Sequence, residues 1–267
     1  VEESTIEVTY SLKAGAPGLE INIEADWHEL GTADIGIPTL RMQFPLGMTN
    51  MTGRYETPFG SIQRQPLANQ EVPSQRWVDV VGKIGNNSAG CTLLNDCKYG
   101  YSLDDTMLRA TLIRSSYDPD PLPEHGKQEM KFAILPHNGK VTVAELVRGG
   151  TGFNQPLQIV STDVHQGQFP ATGNDCISCN PTNVLVTNIK KAEDEDAVIF
   201  RLQETAGKAT QVKVELDGQL FGDVIGVEEV DLLERPIDNS TAKVTPKGFD
   251  VKIPANAIAS VKLGLAE

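Results

Sequence analysis

Asp26 and His28, in the segment EADWHE, stand two residues apart, so on a strand they share one face while Trp27 and Glu29 take the other. That spacing suits a pair of metal ligands. On the wet face of a strand the same two side chains read more simply as a surface hydrogen bond, and that is how we read them. The segment SSYDPDPLPEHG supplies Asp118, Asp120 and Glu124, a carboxylate cluster of the kind that hydrolyses glycosidic bonds. Its two Asp-Pro steps are also what a turn requires, because Asp bonds the neighbouring backbone and Pro fixes φ. The turn is the stronger reading. His125 beside Glu124 is the best His-carboxylate pair for a sugar epimerase, and turn chemistry accounts for both. His137 and His165 lie near turn signals and share no metal-binding spacing. Cys91 and Cys97 lack the close spacing of a zinc ribbon, and the C-x-x-C formed by Cys176 and Cys179 lacks the βα setting of a redox motif. We therefore expect no metal, no cofactor, and thiols that are free or incidentally bridged. The densest stretch is GCTLLNDCKYGYS, where an apolar pair runs into Asn95, Asp96, Cys97, Lys98, Tyr99 and Tyr101. It fits a hairpin tip, a redox or metal site, or a loop that reaches something outside the chain. No G-x-S-x-G elbow, H-E-x-x-H or phosphate-cradling glycine loop is present, so no catalytic constellation is complete.

The elements that must position these residues alternate with period two. STIEVTYSL places Ile6, Val8, Tyr10 and Leu12 on one face, and GLEINIEADWHE does the same with Leu19, Ile21, Ile23, Ala25 and Trp27. Both are expected to be half-buried strands joined by the Gly/Pro turn KAGAPG. Similar runs follow at TLRMQFPL, QRWVDVV, MLRATLI, EMKFAIL, NVLVTNIK, AVIFRLQ, TQVKVEL and ASVKLGL, and no convincing amphipathic helix interrupts them. Many short strands with 24 Gly and 16 Pro predict an all-β protein of stacked antiparallel sheets.

A formal charge of −13, with no offsetting Lys/Arg cluster, repels phosphate backbones and argues against a nucleic-acid partner. No apolar run approaches the ~18 to 20 residues of a membrane span. The polar, Gly/Pro-rich stretch FPATGNDCISCNP suggests a boundary, giving a large β domain over residues 1–175 and a small β-sandwich over 176–267.

Resemblance adds what composition does not. EADWHE, YETPFGSIQRQP, VPSQRWVDV, TLLNDCKYGYS, LRATLIRSSYDPDP, FAILPHNG and FNQPL follow one another over residues 20–157. In order and spacing this series resembles the C-terminal β region of glycoside hydrolase family 38 α-mannosidases, of the cytosolic-type and bacterial branch. NVLVTNIKKAEDEDAVIFRLQETAGKAT resembles the small terminal sandwich of the same enzymes, and VDLLERP resembles its later strand. The resemblance implies a galactose-mutarotase-like supersandwich followed by a small β-sandwich. The family's large domain begins well before the segment equivalent to STIEVTYSL, so its start is expected to be truncated here and an edge left bare. Family members are retaining enzymes whose zinc ligands and nucleophilic Asp lie in a preceding catalytic domain. This chain is thus expected to be a non-catalytic β portion, inactive alone, with zinc in the missing catalytic domain. Its implied partners are that domain of the same polypeptide and mannose-containing glycans, and its implied location is cytoplasmic. A stand-alone carbohydrate-binding or adhesion module is the alternative.

In the resembled enzymes, loops of the β region help shape the cleft, which implies a rim role for Asn95, Asp96, Lys98, Tyr99 and Tyr101. Aromatic rings stack on sugars, and amides or carboxylates bond hydroxyls. The structural alternative is a turn leading from Leu94 to Tyr101, with Gly100 relaxing the backbone.

Overall fold

The structure is a computed structural model and describes residues 3–120, 122–167 and 175–266. The chain divides into two compact units, Val1–Leu157 and Gln158–Glu267. The division falls earlier than the expected boundary at 175/176. Both positions lie in the stretch between the last element of the first unit, ending at Asn154, and the first of the second, starting at Ile177.

The first unit holds two antiparallel sheets. The larger runs, edge to edge, β1 (Thr5–Ser11), β2 (Leu19–Trp27), β11 (Gly126–His137), β8 (Asn87–Asn95), β7 (Trp77–Ile84), β4 (Thr49–Thr57) and β5 (Gly60–Arg64). The smaller runs β3 (Thr39–Pro45), β10 (Met107–Arg114), β9 (Gly100–Leu103) and β6 (Val72–Pro73). Alternation along β2 puts Ile21, Ile23, Ala25 and Trp27 into the core beside Met130 and Phe132 of β11, Leu93 of β8, and Val78 and Val80 of β7. Tyr101, Leu103, Leu108 and Ala110 of the smaller sheet complete that core. Burying one apolar face of each sheet against the other is what holds the pair together.

Two expectations fail here. β1 pairs with β2 as predicted, Val8 opposite Ile23, but it is an edge strand, and Ile6, Val8, Tyr10 and Leu12 are exposed rather than half-buried. Among the described residues no second layer covers them. The chain also forms a helix, α1 (Val143–Asn154), where none was expected. Thr142 caps it reciprocally: its Oγ1 accepts from the Glu145 N–H, and the Glu145 carboxylate accepts from the Thr142 N–H at 2.7 Å. Gly150 then lets the helix lie directly on Trp77, since a β-carbon there would stand 2.9 Å from Trp77 Cδ1.

The second unit is a sandwich of two four-stranded antiparallel sheets. One is β12 (Ile177–Asn180), β15 (Thr210–Leu216), β18 (Gly248–Ile253) and β17 (Lys243–Thr245). The other is β13 (Val184–Lys191), β14 (Val198–Glu204), β19 (Ile258–Leu265) and β16 (Val224–Val230). Their inner faces bury Phe200, Leu202, Val212, Val214, Phe249, Val251, Val261 and Leu263. Of VDLLERP, only Val230 belongs to a strand; Asp231 accepts from the N–H groups of Leu233 and Arg235 and closes a turn. No helix among the described residues is long and apolar enough to cross a membrane.

Candidate functional site

The stretch around Asn95 is not a hairpin. β8, which ends at Asn95, pairs with β7 and β11, whereas β9, which starts at Gly100, pairs with β10 and β6. The turn between them carries the chain from one sheet to the other.

Asn95 is fully buried (0% exposed), and its polar groups are committed to that corner. Its backbone N–H donates to the Arg76 carbonyl at 2.9 Å, and its Nδ2 donates to the Gln75 carbonyl at 2.5 Å. Its Oδ1 accepts from the Lys98 N–H at 3.0 Å, and its carbonyl accepts from Asn154 Nδ2 at 2.9 Å. Tyr101 is likewise interior (0% exposed), its hydroxyl donating to the Lys98 carbonyl at 2.7 Å. Burial pushes the Tyr101 phenol far above its ordinary range. Asn95 and Tyr101 were expected at a rim; both instead build the corner from inside, because a buried amide or phenol must bond locally. Asp96 exchanges backbone and side-chain bonds with Lys131, its Oδ1 accepting from the Lys131 N–H at 3.0 Å. Lys98 points its ammonium at Glu124, 3.6 Å away. Tyr99 alone of the five is well exposed, at 54%.

Tyr99 borders an open pocket of about 560 Å³ lined also by Glu56, Thr57, Pro58, Pro73, Ser74, Gln75 and Arg76. Three segments meet there: the tip of the β4–β5 hairpin, the connection from β6 to β7, and the inter-sheet corner. At the hairpin tip Phe59 has φ +51°, a left-handed backbone that disfavours a bulky side chain, and its ring is exposed. Below the pocket the buried Glu56 carboxylate accepts from the Arg76 N–H at 2.6 Å and from its guanidinium, whose Nη2 lies 2.5 Å from Oε1. Arg76 Nη1 donates onward to Thr151 of α1 at 2.8 Å. Ser74 Oγ accepts from the Glu56 N–H at 2.8 Å and donates to the Trp77 carbonyl at 2.6 Å. Both Glu56 carboxylate oxygens are thus engaged by Arg76. What the pocket presents outward is the exposed Pro58 and Pro73 and the Tyr99 ring. Such a surface suits stacking against flat or apolar groups.

The Asp-Pro segment, His137 and the first two cysteines resolve into structural roles. Asp120 Oδ1 accepts from the Leu122 N–H at 2.9 Å, as the turn reading requires, and Ser116 Oγ donates to the Asp118 carbonyl at 3.0 Å. His137 Nε2 meets Asp79 Oδ1 at 2.8 Å, and its Nδ1 accepts from the Gly139 N–H at 3.0 Å. Asp79 also accepts from Thr92 Oγ1 at 2.7 Å, so this buried trio staples the outer face of β7, β8 and β11. Burial, reinforced by Asp79, pushes the Cys91 thiol up to about 11. Burial of the sulfur and the adjacent Asp96 push Cys97 up to about 12, so neither thiol is ionised at neutral pH. Among the described residues no group of three or more His, Cys, Asp or Glu side chains is disposed to hold a metal ion. Sequence reasoning missed Glu56, Ser74 and Arg76, although they fall within the motifs YETPFGSIQRQP and VPSQRWVDV. Their roles depend on a pairing between strands that are not adjacent in the chain.

Comparison with known proteins places these motifs. The family model described as glycosyl hydrolases family 38 C-terminal domain matches residues 1–122, and that described as glycosyl hydrolases family 38 C-terminal beta sandwich domain matches residues 183–261. Alpha-mannosidase 2C1 of Homo sapiens is 29% identical over 238 residues, covering 84% of this chain and 21% of the human protein. An alpha-mannosidase of Saccharomyces cerevisiae is 30% identical over 217 residues, covering 77% of this chain and 19% of the yeast protein. The chain thus spans about a fifth of the length of these relatives. The crystal structure of an alpha-mannosidase from Enterococcus faecalis V583 superposes with a TM-score of 0.73 over 97% of this chain and 29% of that one, at 14% identity. At that identity the likeness speaks for the fold.

Proposed function

We propose, for a chain that belongs to the C-terminal region of glycosyl hydrolase family 38, that it is the non-catalytic β portion of a longer α-mannosidase and that the face around Tyr99 borders that enzyme's cleft. The observation that carries this reading is the match of both units, in order, to the two C-terminal models of one family, with relatives about five times as long. The parent activity is hydrolysis of α-linked mannose with retention of configuration. Its zinc and nucleophile are assigned to the portion of the longer polypeptide outside this chain, as the family resemblance implies. The partners are that catalytic portion and mannose-containing glycans, in the cytoplasm.

The pocket supports a bordering role. Its floor is made rigid by the Glu56–Arg76 pair and by Asn95, while Tyr99, Pro58 and Pro73 are left to face outward. A preorganised, largely apolar surface suits contact with a sugar ring or with the wall of a neighbouring domain. The test is kinetic. The isolated chain should give no turnover of an aryl α-mannoside, whereas the full reading frame should hydrolyse it and lose several-fold to tenfold in kcat/KM on Tyr99→Ala. Turnover by the isolated chain refutes the non-catalytic assignment, and an unchanged kcat/KM in Tyr99→Ala refutes the rim.

A further inference from the structure

His28 and His125 are 97 residues apart in the chain, yet His28 Nδ1 and His125 Nε2 face each other at 3.2 Å. Their rings stand nearly perpendicular, at 74°, with centroids 4.8 Å apart. The other nitrogen of His28, Nε2, lies 3.1 Å from Asp26 Oδ1. An ionised carboxylate at that distance favours the tautomer with its proton on Nε2, and in that tautomer the Nδ1 lone pair is the one turned toward His125. Two ring nitrogens aimed at one another admit one particle between them, a proton or a metal cation. Two imidazole nitrogens on a tetrahedral zinc, each ~2.0–2.1 Å from the ion, stand ~3.3 Å apart, close to the spacing seen between these rings.

The backbone holds this arrangement in place. Trp27, between Asp26 and His28, is buried and donates from Nε1 to Ser115 Oγ at 2.6 Å. Gly126 opens β11 opposite Trp27, which sets His125 beside the end of β2. Glu124 at φ +61° and Gly126 at φ +98° bracket His125 with left-handed backbone. A non-glycine residue held there is strained, and such strain is kept where a site needs it. Access is open, with side-chain exposures of 31% for His28 and 41% for Asp26. Glu7, Glu24 and Glu129 line a recess with Asp26 and Lys127, so four carboxylates face one ammonium and the net local charge is negative.

We propose that His28 and His125 form a two-imidazole site for a divalent transition-metal cation, with Asp26 orienting His28 and water completing the coordination. Imidazole ligands select ions of the zinc and nickel type over magnesium. With only two protein ligands the ion is exchangeable, unlike the fixed zinc of a four-ligand structural site. This departs from the expectation of no metal in the chain, because His125 is invisible to the local spacing around Asp26.

Calorimetric titration of the metal-free chain with Zn²⁺ and Ni²⁺, and with Mg²⁺ as the oxygen-preferring control, tests the site. One Zn²⁺ or Ni²⁺ should bind at micromolar affinity, Mg²⁺ should not, and Cys97→Ser should change nothing. His28→Gln or His125→Gln should weaken binding by roughly tenfold or more, with Asp26→Asn costing about 10-fold as the orienting group. Melting temperatures separate loss of the site from loss of the fold. Broadening of the His28 and His125 ring-proton resonances by Ni²⁺ in the unaltered chain needs no variant. Absence of binding up to millimolar metal, binding that survives both His substitutions, or unbroadened ring resonances overturns the proposal and leaves a histidine–histidine hydrogen bond.

Discussion

Asn95 donates from Nδ2 to the carbonyl of Gln75 at 2.5 Å while its Oδ1 accepts from the Lys98 N–H at 3.0 Å, so one buried carboxamide joins the β6–β7 connection to the inter-sheet corner. Replacing it leaves two buried backbone groups without partners. Each such orphan costs about 1–3 kcal/mol. Asn95→Ala should therefore lower the melting temperature of the first unit markedly, whereas Tyr99→Ala, at an exposed ring, should leave it within error. Equal melting of the parent and Asn95→Ala would show that the corner is held by something else.

Trp27 gives a second measurement on the same unit. It sits in the core opposite Gly126 and is tied to Ser115 through its indole N–H at 2.6 Å. Truncating a buried aromatic to Ala typically costs ~3–5 kcal/mol. Denaturant unfolding of Trp27→Ala should show a loss of that size. A variant as stable as the parent would mean that the register of β2 is wrong.

These two residues differ in how readily the sequence revealed them. Trp27 was legible because strand alternation is a local signal: Ile21, Ile23 and Ala25 announce the face it shares. For Asn95 the sequence left a rim and a structural turn both open, since its partners Gln75 and Asn154 reach it only through pairings across the sheet and through α1. The helix itself was hidden. Gly149, Gly150 and Gly152 each cost about 1 kcal/mol of helix propensity, and the Thr142–Glu145 capping box was a local signal that went unread. For β1 the alternation was real and the burial was not, because periodicity shows that a strand has an apolar face without showing what covers it. His125 reached His28 by the same kind of non-local pairing.

Acid should act on the second unit through Glu204. This buried carboxylate accepts from the N–H groups of Ala206, Gly207, Lys208 and Asn256 and from Asn183 Nδ2 at 2.7–3.2 Å. Burial alone raises its pKa, but the hydrogen bonds from Asn256, Asn183, Ala206 and Lys208 outweigh it and the net shift is downward. The unfolded chain therefore takes up the proton first. Stability from this group is complete above the unfolded value of ~4.3 and drains as the pH falls through the folded one. Glu204→Gln should melt lower at neutral pH, by about 1.5–3 kcal/mol for bonds to a charged acceptor, and should flatten the acid limb of the melting profile. An acid limb as steep as the parent's would assign it to other carboxylates.

Phe59 offers the sharpest separation of folding from function. Its φ of +51° places a bulky side chain in backbone that glycine occupies freely, and its ring gains little burial in return. A left-handed conformation costs an L-residue roughly 1–2 kcal/mol, part of which glycine gives back through the greater entropy of its unfolded state. Phe59→Gly should thus stabilise the isolated chain by about 0.5–1 kcal/mol, read as a rise in melting temperature. If the hairpin tip is strained to hold an exposed aromatic ring for contact outside this chain, the same substitution in the full-length enzyme should lower kcat/KM despite the gain in stability. A variant that is more stable and fully active would show that Phe59 serves neither the cleft nor the neighbouring domain. A variant that is less stable would mean that the ring packs where it is seen to be exposed.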